Sequence, residues 1–162
     1  MFDTIVDTCE VAYDFLNHLQ LSDFYATQQH LTIIRGWEEK VQEVSENEDP
    51  YSSVCTRLEA FWRTLIVDAI GDIRATNEVE HMFNVWSGRT AAPKGERNFT
   101  EPYVSVVEKA ANNRRFGISS RRYMGLTPAE TEIGNLICVL AGGRTPFVLR
   151  ENGDHFFLVG AC

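Results

Sequence analysis

Apolar residues along this chain change their spacing once, near Asn112, from steps of three and four to steps of two. Before that point, Phe2, Ile5, Val6, Cys9, Ala12, Tyr13, Leu16 and Leu19 recur at helical spacing, and Ile33, Ile34, Trp37, Val41 and Val44 do the same. Each set predicts a helix with one apolar stripe. The acidic run from Glu43 to Asp49 ends the second pattern, and Asp49 ahead of Pro50 is the pairing expected where a helix starts. A third helix is therefore expected to carry Tyr51, Val54, Cys55, Leu58, Phe61, Trp62, Leu65, Ile66 and Ala69 and to end at Gly71. Its nearly continuous apolar face marks it as the central helix, with the stretch from Val54 to Ile66 buried against the strands from Leu136 to Leu149. Thr76 is placed to cap a shorter helix bearing Val79, Met82, Phe83 and Trp86, and Thr100 to cap a last one bearing Tyr103, Val106, Val107 and Ala110. Between them, Ser87 to Asn98 contains Gly88, Pro93 and Gly95 and reads as an exposed loop.

Beyond Asn112 the alternation predicts short strands near 115–119, 121–124, 135–141, 145–150 and 155–160, separated by turn residues such as Gly142-Gly143. Asn152-Gly153 between two apolar runs is a tight-turn signal, because both residues accept positive φ. Helices first and hairpins later imply an α+β fold. The expectation is a single domain over 1–162. A helical part, 1–113, of about five helices is packed on a small antiparallel sheet or partial barrel formed by 114–162.

Composition narrows the function classes. A net charge of −8 would repel a phosphate backbone, so no nucleic-acid partner is expected. No apolar run approaches the roughly 18 residues that span a bilayer, and Asp3, Asp7, Glu10 and Asp14 occupy the place of a signal peptide's uncharged core. A cytoplasmic protein with no membrane partner is the expectation. Cys9, Cys55, Cys138 and Cys162 are widely spaced and contain no CxxC pair, so reduced thiols are expected, the first three as small core residues. Ten Phe and three Trp make the interior rich in aromatics, and such an interior can line a pocket.

Recognisable catalytic chemistry is sparse. Glu78 and His81 form one Glu-x-x-His step, but carboxylate-bridged metal sites need two, so a solvated helix face is the simpler reading and no metal or other cofactor is expected. There is no GxSxG elbow, HExxH or phosphate-binding glycine loop. Arg114, Arg115, Arg121 and Arg122 concentrate positive charge beside Phe116 and Tyr123. A solvated hairpin accounts for them, and so does an anchor for an acidic small molecule, since guanidinium groups grip carboxylates through paired hydrogen bonds. Trp62, Trp37 and Trp86 lie on helical apolar faces where aromatics usually belong to the core, yet a seam between helices and a sheet is also a common place for an apolar pocket. Arg63, beside the central stripe, is placed to enter such a seam.

The run Arg114-Arg115-Phe116-Gly117, then Tyr123-Met124-Gly125-Leu126, Gly134-Asn135-Leu136-Ile137-Cys138-Val139-Leu140-Ala141-Gly142-Gly143, Pro146-Phe147-Val148-Leu149-Arg150 and Phe157-Leu158-Val159-Gly160 resembles the C-terminal region of fungal heterokaryon-incompatibility (HET) proteins. Phe61-Trp62-Arg63-Thr64-Leu65 resembles the helix that precedes that region. The family's N-terminal death-signalling domain has no counterpart here, and its further strand and turn beyond the "LVG" segment are absent, so the chain reads as a stand-alone relative of the C-terminal module. The resemblance, together with the lack of nucleophile and metal signatures, implies a cofactor-independent cyclase of fungal specialised metabolism, similar to the small fungal Diels–Alderases. Its partner would be an apolar small-molecule substrate with a carbonyl or carboxylate. In that reading Arg63 and Arg115 are catalytic hydrogen-bond donors, and Trp62, Phe116, Trp37, Trp86 and Tyr123 hold the substrate. The alternative is a non-enzymatic HET-related interaction module, which would show an exposed apolar patch instead of an enclosed pocket.

Overall fold

The computed structural model describes residues 5–14, 24–43, 49–140 and 142–162. In chain order they form strand β1 (Ile5–Asp14), helices α1 (Phe24–Gln42) and α2 (Arg57–Leu65), and the two-residue strands β2 (Ala69–Ile70) and β3 (Ile73–Arg74). Helices α3 (Asn77–Trp86) and α4 (Glu101–Ala111) follow, then strands β4 (Arg114–Ser119), β5 (Met124–Pro128), β6 (Leu136–Val139), β7 (Phe147–Asn152) and β8 (His155–Ala161). The fold is α+β, with helices mostly in the first part and strands mostly in the last.

The first segment departs from its expected helix. Ile5–Asp14 is a strand in the interior of the sheet, antiparallel to β4 on one side and β6 on the other. An interior strand presents apolar residues on both faces and need not alternate. Its register also shifts between Cys9 and Val11, and a shift of this kind moves later side chains out of phase. Together these imitate helical spacing. Phe2, Leu16, Leu19 and Val44 lie outside the described residues.

The main sheet has the order β5-β4-β1-β6-β7-β8, all neighbouring pairs antiparallel. It is curled. Its outer strands approach one another where a Cβ placed on Gly160 of β8 would lie 2.8 Å from Cγ of Pro128 at the end of β5. Arg114 spans the same gap, its Nη1 donating to Leu126 O of β5 at 3.2 Å and Ala161 O of β8 at 3.1 Å. No β5–β8 ladder completes the circle, so the sheet remains an open, strongly coiled layer. The β7–β8 turn centres on Gly153-Asp154, one residue later than the Asn-Gly pair implies, because Asn152 pairs with His155 and only the glycine takes positive φ (65°). Strand β5 likewise begins at Met124, since Ser120 to Arg122 turns the chain, with Arg122 N donating to Ser119 O.

The helices cover one face of the sheet. Phe61, Trp62, Leu65 and Ile66 are buried together with Trp37, Phe83, Tyr103, Phe116 and Leu126. Trp37 stacks on Phe116 with ring centres 5.0 Å apart, and Phe61 meets Phe116 edge-on at 5.6 Å. The central helix is shorter than expected; it packs on α1 and, among the strands, mainly on β5 and not on those from Leu136 to Leu149. Val54 is 84% exposed, in turns that precede the helix. Asp49 caps that turn through Tyr51 N, while the helix start belongs to Thr56, whose hydroxyl accepts from Glu59 N at 3.0 Å. After Leu65 the chain leaves the helix through Val67 and Asp68, both with positive φ, into the β2–β3 hairpin, whose turn holds Gly71.

Candidate functional site

Where α2 and α4 lean over β5, a cavity of about 660 Å³ opens at the seam. This lies within the roughly 300–1,000 Å³ of small-molecule sites. Ala60 and Thr64 reach it from α2, Ala110 from α4, and Met124, Gly125 and Leu126 from β5. Tyr51, Cys55, Pro146 and Cys162 add further wall. Tyr51 is fixed by a hydrogen bond from Met124 N to its hydroxyl (2.8 Å), and its ring meets that of Tyr123 edge-on at 5.8 Å. Burial pushes the Tyr51 hydroxyl above its ordinary value, so it stays protonated in the neutral range. Burial likewise drives the Cys162 thiol up to about 11, with Arg114 opposing and Cys138 and Cys9 reinforcing the rise. All four cysteines are free thiols; Cys9 and Cys138 are buried as expected of core residues, whereas Cys55, expected with them, is half-buried at the cavity wall. A neutral thiol at the cavity wall is a poor nucleophile.

The lining is apolar between its charged groups, and these are unequal. Arg63 donates from Nε to Glu59 (3.0 Å) and from Nη1 to Asp68 (2.6 Å) and Ala75 O (2.9 Å), with its guanidinium carbon 4.6 Å from the centre of the Trp62 ring. Arg74 closes on the other oxygen of Asp68 at 2.7 Å. Burial alone would raise the Asp68 carboxyl, but the hydrogen bonds from Arg63 and Arg74 outweigh it and hold the group below its ordinary value. This network fixes the Val67–Asp68 turn at the cavity's lip. A second cavity of about 270 Å³ adjoins the first, sharing Met124, Gly125, Pro146 and Cys162. Strands β4 and β5 border it where Gly117 faces Gly125 across the ladder and neither contributes a side chain.

The expected site residues fall into three groups. Arg63 reaches the seam cavity, and Tyr123, half exposed, lines the second one. Trp62, Trp37, Trp86 and Phe116 line neither cavity and belong to the packed core. Arg115 also lines neither, donating instead to Thr131 O. Its neighbour Arg114 faces the cavity. Successive strand residues point to opposite faces, so an arginine pair in a strand can send only one member to a given side. Which one it would be depends on strand phase, and the short alternating run left that open. Lys109 on α4, Arg144 in the β6–β7 connection and Cys162 after β8 were not singled out as site residues in the sequence, because only the tertiary fold brings them beside α2.

Among the described residues no group of three or more His, Cys, Asp or Glu could hold a metal ion, and His81 packs on the ring of Phe99 with centres 5.0 Å apart. No described helix is long and apolar enough to cross a membrane. Compared with protein-family models, curated proteins and solved structures, the chain matches none.

Proposed function

We propose that this protein encloses an apolar small molecule in the seam cavity and promotes its cyclisation by holding it folded. It would be a cofactor-independent cyclase of the Diels–Alder type in fungal specialised metabolism, acting on a terpenoid or polyketide. The observation that carries this reading is the cavity itself, drug-sized, apolar in its walls and supplied with arginine donors at its edge. Holding reactive ends together can remove about 7–11 kcal/mol of barrier in favourable cases, with no nucleophile or metal. A hydrogen bond from Arg63 or Arg114 to an acceptor carbonyl would add electrostatic stabilisation as the bound molecule displaces water from the apolar wall. The resemblance of the β4–β8 region to HET proteins is part of the same proposal and leaves the chemistry to the cavity.

Incubation with linear diene or polyene candidates, compared with buffer alone, tests the reading. Faster formation of cyclised product is expected, and Arg114→Met should lower turnover roughly ten- to a thousandfold with the fold intact by circular dichroism. Rates equal to buffer for every candidate, with a variant indistinguishable from wild type, would remove the enzyme.

A second reading has its own observation. Phe156, Phe157 and Leu158 are more than half exposed on β8, an outer strand of the sheet. Exposed apolar edge strands are templates for pairing with another chain, which favours a HET-related interaction module. Concentration-dependent sedimentation that Phe157→Lys abolishes would support it.

A further inference from the structure

The seam cavity is cationic in a protein whose net charge is −8. Arg63, Lys109, Arg114 and Arg144 line it against a single side-chain carboxylate, Asp68. That carboxylate is committed to Arg63 and Arg74. Lys109, Arg114 and Arg144 have no carboxylate partner among the described residues. Lys109 and Arg144 are solvated, so their charges give the cavity mouth a positive potential that draws anions, while the half-buried Arg114 is the cation that an anion could meet inside. Arg114 is the most constrained of the three. Its Nη1 is used on Leu126 O and Ala161 O, which anchors the guanidinium in place and leaves the Nε and Nη2 donors for a ligand. Lys109 and Arg144 are exposed at the rim.

Resting on the cavity reading above, we propose that the ligand is an amphipathic carboxylic acid, its apolar body against Ala60, Ala110, Met124 and Leu126 and its carboxylate on Arg114, with Lys109 and Arg144 steering it in. A planar guanidinium held at one end matches a planar carboxylate through two parallel hydrogen bonds. The rim cations act over a longer range and fade with salt. Anchoring one end of the molecule at a fixed donor is also what a positioning mechanism requires.

Decanoate, decan-1-ol and decyl phosphate share an apolar chain and differ in the head group, so calorimetric titration of each into the full chain reads the head group directly. Decanoate is expected to bind about tenfold or more tightly than decanol, the size of one charge-assisted pair. That preference should shrink severalfold in Lys109→Gln/Arg144→Gln and in high salt, and vanish in Arg114→Met. Because Arg114 also joins two strands, its variant is read only alongside a circular dichroism spectrum, and the double rim variant, on exposed side chains, carries the test if Arg114→Met unfolds. Equal binding of decanol and decanoate would overturn the acid while leaving the apolar cavity and its proposed chemistry standing. Tighter binding of decyl phosphate would replace the carboxylate with a phosphate and overturn the proposal in that form. Binding of none of the three would sink both the acid and the cavity reading.

Discussion

Val67 and Asp68 hold φ of 55° and 56° in succession, a conformation that costs an L-residue roughly 1–2 kcal/mol and is worst for a β-branched side chain. The Val67 side chain is 69% exposed, so little packing offsets its cost. Val67→Gly is expected to raise stability by up to about 1 kcal/mol after the added freedom of the unfolded chain is counted. Thermal unfolding checks this, and a fall of similar size would mean that the valine packs on something in solution. Strain held at a cavity lip is a known companion of binding sites. Asp68 supplies the restraint, and its depressed carboxyl value sets the sign of a pH effect. A carboxyl whose folded value is lowered contributes stability in full above its unfolded value of about 4 and loses it as pH falls through the folded value. Asp68→Asn should therefore be less stable than wild type at neutral pH and approach it below about pH 4. Denaturant midpoints across that range decide it, and parallel curves would show that the Arg63 and Arg74 bonds add nothing.

At the scale of elements, α2 shows how local chemistry chooses a boundary. Thr56-Arg57-Leu58-Glu59 has the spacing of a capping box, and the threonine hydroxyl does accept from Glu59 N. Thr56→Ala should cost about 1 kcal/mol in denaturant unfolding, whereas an unchanged midpoint would put the helix start elsewhere. The expected start at Asp49-Pro50 forms a turn instead, one helical segment too early. Helices α3 and α4, the loop between them and the β4–β5 and β6–β7–β8 hairpins were legible because apolar spacing and breakers agree, although neither Thr76 nor Thr100 makes a side-chain cap and β1 separates the two sets of hairpins. Strand β1 was not. Its identity is set by β4 and β6, which lie more than a hundred residues away in sequence and pair with it on both sides. Arg63 could be placed at the seam because helical spacing fixes which residues flank a stripe. Arg114, Lys109 and Arg144 come from three separate elements, and no local pattern assembles them.

For the whole molecule, the approach of β8 to β5 shapes the sheet. Gly160→Val would push a side chain into Pro128, where a Cβ already stands 2.8 Å from Cγ. The expected cost is roughly 1–3 kcal/mol, with faster amide exchange confined to the ends of β5 and β8. Uniform acceleration over the helices as well would indicate global loosening and show that the gap is not a local hinge. Arg114 sits at this gap and at the cavity together, its Nη1 holding the two strand ends. If the proposed acid binds Arg114, occupancy of the cavity and the hold on the strand ends become linked equilibria, and any coupling between them acts equally in both directions. A bound acid would announce itself first as quieter backbone amides at Leu126 and Ala161, before any reaction product is known. In turn, natural variation that tightens the strand ends would sharpen ligand affinity from outside the cavity.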